Sequence, residues 1–171
     1  MGEDLALPER NSLRTPMQWS ASPGGGFTAA ERAQQVRPMQ TRGRYGCGQV
    51  NVDDQERDQA SLLRWFQRMI GVLRECPEVG TGDCTVLDVS LPRHVLAHRC
   101  DAREGAFLAL HNLADRAATV DLGRLDGVDG RPREVFADGA YDAPGARMSG
   151  IELHPYGYRW FKLQRKSSTS S

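Results

Sequence analysis

Four prolines and a run of three glycines rule out continuous regular structure over the first fifty residues. Pro8, Pro16, Pro23 and Pro38 each remove an amide donor and fix φ, which a helix interior does not tolerate. Gly24, Gly25 and Gly26 permit turns with positive φ. A structureless stretch of this length is out of place inside a compact domain, and such loops are functional or belong to something larger. The segment is therefore read as one side of a missing surface, supplied by another part of a longer chain or by another subunit.

An amphipathic helix is predicted from about Asp58 to Arg74. Asp58 is placed to accept the orphan amides of its first turn. Leu62, Phe66, Met69, Ile70 and Leu73 recur at helical spacing and form one apolar face, which Leu63 and Trp65 widen. Arg64, Gln67, Arg68 and Arg74 line the polar side, and Pro77 ends the helix. A face this wide must be buried, since each large side chain left in water forgoes roughly 1.5–3 kcal/mol. It is the expected docking face for an upstream domain or another subunit.

Beyond Pro77 the pattern changes to short apolar runs separated by turn residues. Strands are predicted at Thr85–Val89, His94–Cys100, Ala106–Leu113, Ala118–Leu122, Arg133–Ala137, Gly150–Leu153 and Tyr158–Leu163. This spacing favours an antiparallel sandwich or barrel. Ala106–Leu110 is apolar at every position, as a central strand should be. The polar, serine-rich end from Gln164 to Ser171 predicts a disordered tail.

Composition excludes several function classes. At 171 residues, 39% hydrophobic and 26% charged, the chain suits a globular protein. A formal net charge of +0 argues against a sequence-independent nucleic-acid binder. No apolar run approaches the roughly 20 residues of a membrane helix, and the acidic Met1-Gly2-Glu3-Asp4 start does not read as a signal peptide. Cys47, Cys76, Cys84 and Cys100 contain no C-x-x-C pair, so they are read as free thiols of a cytoplasmic protein. His94 and His98 fall on one predicted strand face, too far apart to share a metal from that strand alone; neither metal nor cofactor is expected.

No catalytic constellation is evident. Glu3, Asp4 and Glu9 cluster near the N-terminus and could act as acid and base, but such a cluster is more often a solvated loop, and they are read so. Trp19, Phe27, Tyr45, Tyr156, Tyr158 and Trp160 are candidate sugar platforms. Tyr158 and Trp160 alternate with Arg159 and Phe161 on a predicted strand and are read as core. Trp19 and Phe27 lie in the irregular segment. Arg14 is placed to reach a substrate hydroxyl, or to form a structural ion pair.

The order of motifs resembles a known family. Its carriers are Met1-Gly2-Glu3-Asp4-Leu5, Leu7-Pro8-Glu9-Arg10-Asn11, Arg14-Thr15-Pro16-Met17-Gln18-Trp19, Gly26-Phe27, Val50-Asn51-Val52, Gln55, Ser61-Leu62-Leu63, Arg74, Glu75-Cys76-Pro77-Glu78, His111-Asn112-Leu113 and Tyr156-Gly157-Tyr158-Arg159-Trp160. The Arg-Thr-Pro-Met-Gln-Trp block is similar to one in oligo-1,6-glucosidases and isomaltulose synthases, members of the α-amylase superfamily. The Leu-Pro-Glu-Arg approach and the closing Tyr-Gly-Tyr-Arg-Trp narrow the resemblance to the C-terminal part of the trehalose synthases of glycoside hydrolase family thirteen. It spans nearly the whole chain.

The resemblance implies a mainly β fold, an antiparallel sandwich of the amylase C-terminal type preceded by a long irregular loop and one barrel-type helix. Residues 1–77 would be a remnant of the catalytic β/α barrel, 78–164 the β-sandwich and 165–171 a tail. The implied activity is interconversion of maltose and trehalose through a covalent glucosyl-enzyme, which requires a nucleophilic carboxylate, an acid/base carboxylate and a stabilising acid. In the family these lie on barrel strands four, five and seven, so they are expected before Met1, and the chain alone is expected to be inert. Arg14 and Trp19 are the candidate substrate contacts. The competing readings are a non-catalytic α-glucan-binding module and an interaction piece that docks through its helix.

Overall fold

The computed structural model describes residues 14–37, 39–87, 91–103, 105–123, 125 and 128–165. The acidic cluster Glu3, Asp4 and Glu9 lies outside them. The chain divides into two compact units, Met1–Arg68 and Met69–Ser171.

Before Val52 the described residues of the first unit carry little regular structure, as their prolines and glycines require. Short 3-10 turns at Pro23–Gly26 and Arg32–Gln34 interrupt an otherwise irregular path. An unpredicted short helix, α1 (Val52–Arg57), precedes the predicted one, which runs as α2 (Leu62–Arg74) rather than from about Asp58. Asp58 does not cap the second; it sits at the C-terminal end of the first. Its carboxylate instead accepts from the Ala60 amide at 2.8 Å, bending the chain between the helices. The start of α2 is capped by Ser61, whose Oγ accepts from the Arg64 amide at 3.2 Å. Gln55 adds its Oε1 to the Leu63 amide at 3.1 Å. Asp58 and Ser61 are both good cap residues, and the tertiary position of Gln55 selects the later one.

In the second unit, α2 ends at Arg74 and a short helix, α3 (Glu78–Thr81), follows Pro77. All seven predicted strands form: β1 (Asp83–Val86), β2 (Val95–Asp101), β3 (Gly105–Asn112), β4 (Ala118–Val120), β5 (Val128–Ala137), β6 (Ile151–Leu153) and β7 (Tyr158–Arg165). Five make an antiparallel sheet in the order β1-β2-β3-β7-β5, and β4 pairs with β6 in a two-stranded sheet. Gln164, predicted as tail, pairs with Gly105 inside the β3–β7 ladder; the polar side chain did not prevent backbone pairing.

Strand parity sorts the core into two layers. Leu108, Leu110, Phe161 and Leu163 pack with Val120, Ile151 and Leu153 of the small sheet. Phe107, Ala109 and Trp160 point to the opposite face and pack with Cys76, Met69, Val72 and Leu73. The five-stranded sheet is thus covered on both faces, which is why β3 is buried at every position from Gly105 to Leu110. The expectation that Trp160 belongs to the core holds.

The expected docking face of α2 divides. Met69 and Leu73 are taken up by the sheet of their own unit. Leu62, Phe66 and Ile70, four residues apart along the helix, stay 63%, 45% and 45% exposed.

The reading of four free thiols is corrected. Cys84 lies directly opposite Cys100 in the β1–β2 register, and the two form a disulfide. Only Cys47 and Cys76 are free, and both are buried. Pairing follows from strand register, which spacing along the chain does not reveal. No helix among the described residues is long and apolar enough to cross a membrane.

Candidate functional site

The first unit presents a set of exposed side chains on a fixed backbone. The chain at Gln18 and Trp19 is tied at both ends of each peptide. The Trp19 amide donates to the Gly25 carbonyl at 2.8 Å, and the Ser20 amide to the same oxygen at 3.0 Å. Gly25 is buried at φ +62, and a Cβ there would fall 2.6 Å from the Met39 methyl, so glycine is needed at this turn. The carbonyls of Gln18 and Trp19 accept from the first amides of α1, Val52 at 2.9 Å and Asp53 at 3.0 Å. These are the amides a helix leaves unpaired, so the Met-Gln-Trp segment and α1 satisfy each other.

Asn51 holds this junction from inside. It is 2% exposed. Its Oδ1 accepts from the Asp54 amide at 2.9 Å, and its Nδ2 donates to the Cys47 carbonyl at 3.0 Å and to Asp54 Oδ2 at 2.7 Å. Gln18 donates to the Tyr45 carbonyl at 2.9 Å. The result is an anchored platform from which Met17, Trp19 and Phe27 project, at 52%, 49% and 55% exposure. Arg14 is also exposed and makes no hydrogen bond or ion pair among the described residues. The carboxylates nearby serve local structure: Asp54 binds Asn51 and Arg57, and Asp58 binds the Ala60 amide. The platform offers an aromatic face, a guanidinium and thioether surface.

A second polar cluster lies in the second unit, joined from residues distant in the sequence. Asp138 Oδ1 accepts from Tyr141 Oη and from the Tyr158 amide, both at 2.7 Å, and Oδ2 lies 3.2 Å from His154 Nδ1. Tyr141 stacks on His154 at 4.2 Å between ring centres, and the Arg159 guanidinium lies 4.4 Å over the Tyr141 ring. Arg159 is buried and binds Glu134 Oε2 at 2.6 Å, the Asp142 carbonyl at 2.9 Å and the Glu152 carbonyl at 3.3 Å. Its visible signal was an arginine between Tyr158 and Trp160 on a strand with both faces covered.

This cluster sets a pH window. Burial opposes the Asp138 charge, but the hydrogen bonds from Tyr141, Tyr158 and His154 outweigh it and leave the carboxyl below its ordinary value. Burial pushes the Tyr141 hydroxyl up to about 12, and Asp138 adds to the rise. A depressed carboxyl contributes in full above its unfolded value of about 3.9 and loses that contribution as pH falls through the folded value. A raised phenol contributes in full below 10.0 and loses it as pH rises toward about 12. Asp138→Asn is expected to flatten the acid limb of stability against pH, read by urea unfolding between about pH 5 and pH 3. An acid limb identical to that of the parent would remove Asp138 from this role.

The histidines do not converge on a metal. His94 precedes β2 and lies with Nδ1 3.3 Å from Arg116, while His98 stacks on His111 at 5.8 Å. Burial lowers both stacked histidines, and His98 lowers His111 further. Among the described residues no group of three or more His, Cys, Asp or Glu is placed to hold a metal.

Known proteins match this arrangement. Residues 105–162 match the family model of the sucrose hydrolase-like C-terminal domain. Over 99% of its length the chain is 31% identical to the trehalose synthase of Pimelobacter sp. (strain R48), and covers 30% of that protein. Over 96% it is 28% identical to the trehalose synthase/amylase TreS of Mycolicibacterium smegmatis, covering 29%. The crystal structure of the trehalulose synthase MutB from Pseudomonas mesoacidophila MX-45 superposes with a TM-score of 0.67 at 23% identity, over 94% of this chain and 27% of that one. The chain thus spans under a third of the length of the relatives it matches. Over nearly its whole length the chain is thus similar to part of the trehalose synthases, its second unit matches a C-terminal domain family of sucrose hydrolase-like enzymes, and it shares the fold of the corresponding part of a trehalulose synthase.

Proposed function

We propose that the chain serves as the C-terminal part of an α-glucosyl-transferring enzyme that interconverts maltose and trehalose. Residues 1–77 contribute the loop and helix that complete a β/α barrel, and 78–164 form the β-sandwich beside it. The reacting carboxylates come from the barrel, and the chain alone is inert. The observation that carries this reading is the anchored Met-Gln-Trp segment: it is fixed by backbone bonds at Gly25, Val52 and Asp53, yet leaves Trp19 half exposed. In this role Trp19 packs on the sugar at the rim and Arg14 reaches a hydroxyl. The bare residues Leu62, Phe66 and Ile70 are where the barrel covers the helix.

The test has two parts. Purified chain incubated with maltose is expected to yield no trehalose by chromatography, and turnover by the chain alone ends the proposal. With the chain joined to a trehalose synthase barrel, Trp19→Ala is expected to raise KM for maltose about tenfold while kcat changes little, the signature of lost uniform binding. An unchanged KM would take Trp19 out of the site. The exposed aromatics also favour a second reading, a non-catalytic α-glucan-binding module. Calorimetric binding of maltose by the isolated chain, abolished by Trp19→Ala, would support it.

A further inference from the structure

A cleft of about 620 Å³ opens in the second unit between α3 and the ends of β3, β5 and β7. It belongs to no site described above. Its floor carries Glu78, which is 4% exposed. One carboxylate oxygen, Oε1, lies 3.3 Å from Lys162 Nζ; the other, Oε2, is buried and accepts no hydrogen bond among the described residues. Lys162 also donates to the Glu75 carbonyl at 2.8 Å, which leaves one of its three N–H groups for the cleft. Arg103 and Arg133 line the same space, both exposed, and neither side chain makes a hydrogen bond or ion pair among the described residues. Gly105 leaves the space beside the carboxylate unfilled: a Cβ there would lie 3.3 Å from Glu78 Oε1 and 2.9 Å from the Leu163 carbonyl.

The geometry points to a binding site for a small hydroxylated organic phosphate, such as a sugar phosphate. Three cations against one carboxylate leave an excess of positive charge, and two of the three are guanidinium forks that match phosphate oxygens. The doubly ionised phosphate group of a phosphomonoester, above its second pKa of about 6, has only accepting oxygens, so it cannot satisfy Glu78 Oε2. That atom asks for a donor close to the anion, and a hydroxyl on the same molecule supplies one. The ligand therefore needs both groups, with the phosphate toward Arg103 and Arg133 and a hydroxyl toward Glu78. The site is independent of the rim proposed for the first unit.

The experiment is calorimetry on the full chain with three probes: glucose 6-phosphate, inorganic phosphate and glucose. Glucose 6-phosphate is expected to bind saturably and at least about fivefold tighter than inorganic phosphate, with no measurable heat from glucose. Arg103→Gln and Arg133→Gln alter exposed side chains, so folding is not at risk, and each is expected to weaken both phosphate probes by about fivefold to tenfold. Glu78→Gln, checked for native melting, is expected to shrink the preference for glucose 6-phosphate over inorganic phosphate. Absence of saturable binding by either phosphate probe overturns the proposal. So does unaltered affinity in both arginine variants, or glucose binding as tightly as its phosphate.

Discussion

Phe161→Ala is expected to unfold the second unit under conditions where the parent chain is folded. Phe161 is fully buried at the centre of β7, against Leu108, Leu110, Ile151 and Leu153. Its loss removes the hydrophobic transfer energy and leaves a hole that neighbouring strands cannot close, since both belong to hydrogen-bonded ladders. Such truncations cost about 3–5 kcal/mol. A domain of this size has about 5–15 kcal/mol in total, and each kcal/mol moves its melting point by about 4–8 °C. A drop of roughly 15–30 °C in Tm, followed by calorimetry or circular dichroism, is the expected result. A loss below about 1 kcal/mol would mean that the small sheet does not cover this face.

Arg159→Met carries the second large effect. Methionine keeps much of the volume but none of the donors. Glu134 would lose a partner at 2.6 Å, and the carbonyls of Asp142 and Glu152 would lose theirs. The ring faces of Tyr141 and Phe161 would also lose their cation, now 4.4 Å and 5.2 Å away. A buried hydrogen-bond hub of this kind is worth about 2–4 kcal/mol when broken from the arginine side. The Glu134 side chain is 31% exposed, so its own share is screened. A double-mutant cycle with Glu134→Gln is expected to return about 1 kcal/mol or less. Arg159→Lys should rescue little, because a single ammonium cannot replace a planar fork reaching three acceptors. If lysine restores full stability to urea, charge alone accounts for the residue.

The parts of the fold set by local pattern could be read from the residues. The all-apolar run Ala106–Leu110 required a strand covered on both faces, and β3 is that strand. All seven strands overlap their predicted spans, because turn residues separate them, though β5 starts five residues early and the predicted end of the first strand at Val89 lies outside the described residues. What depended on partners distant in the chain could not be read. The Cys84–Cys100 link needs the β1–β2 register. The start of α2 depends on Gln55, which lies in another helix. Asp138 and Arg159 are drawn together from separate loops and strands. In the first unit, resemblance singled out Arg14 and Trp19, and both are exposed. Asn51, which holds the start of α1, gave no sign beyond its place in Val50-Asn51-Val52, because its three side-chain hydrogen bonds exist only once Cys47 and Asp54 are folded around it.

The two outer margins of the five-stranded sheet are finished differently. On one side β1 is short, exposed and stitched to its neighbour by a covalent link, so it cannot swing free to recruit a foreign strand. On the other side β5 breaks its register with β7 twice, between Asp129 and Arg133 and between Glu134 and Phe136. A kinked border is a poor template for endless addition. Growth of the sheet from molecule to molecule is thereby discouraged at one border by a bond and at the other by shape.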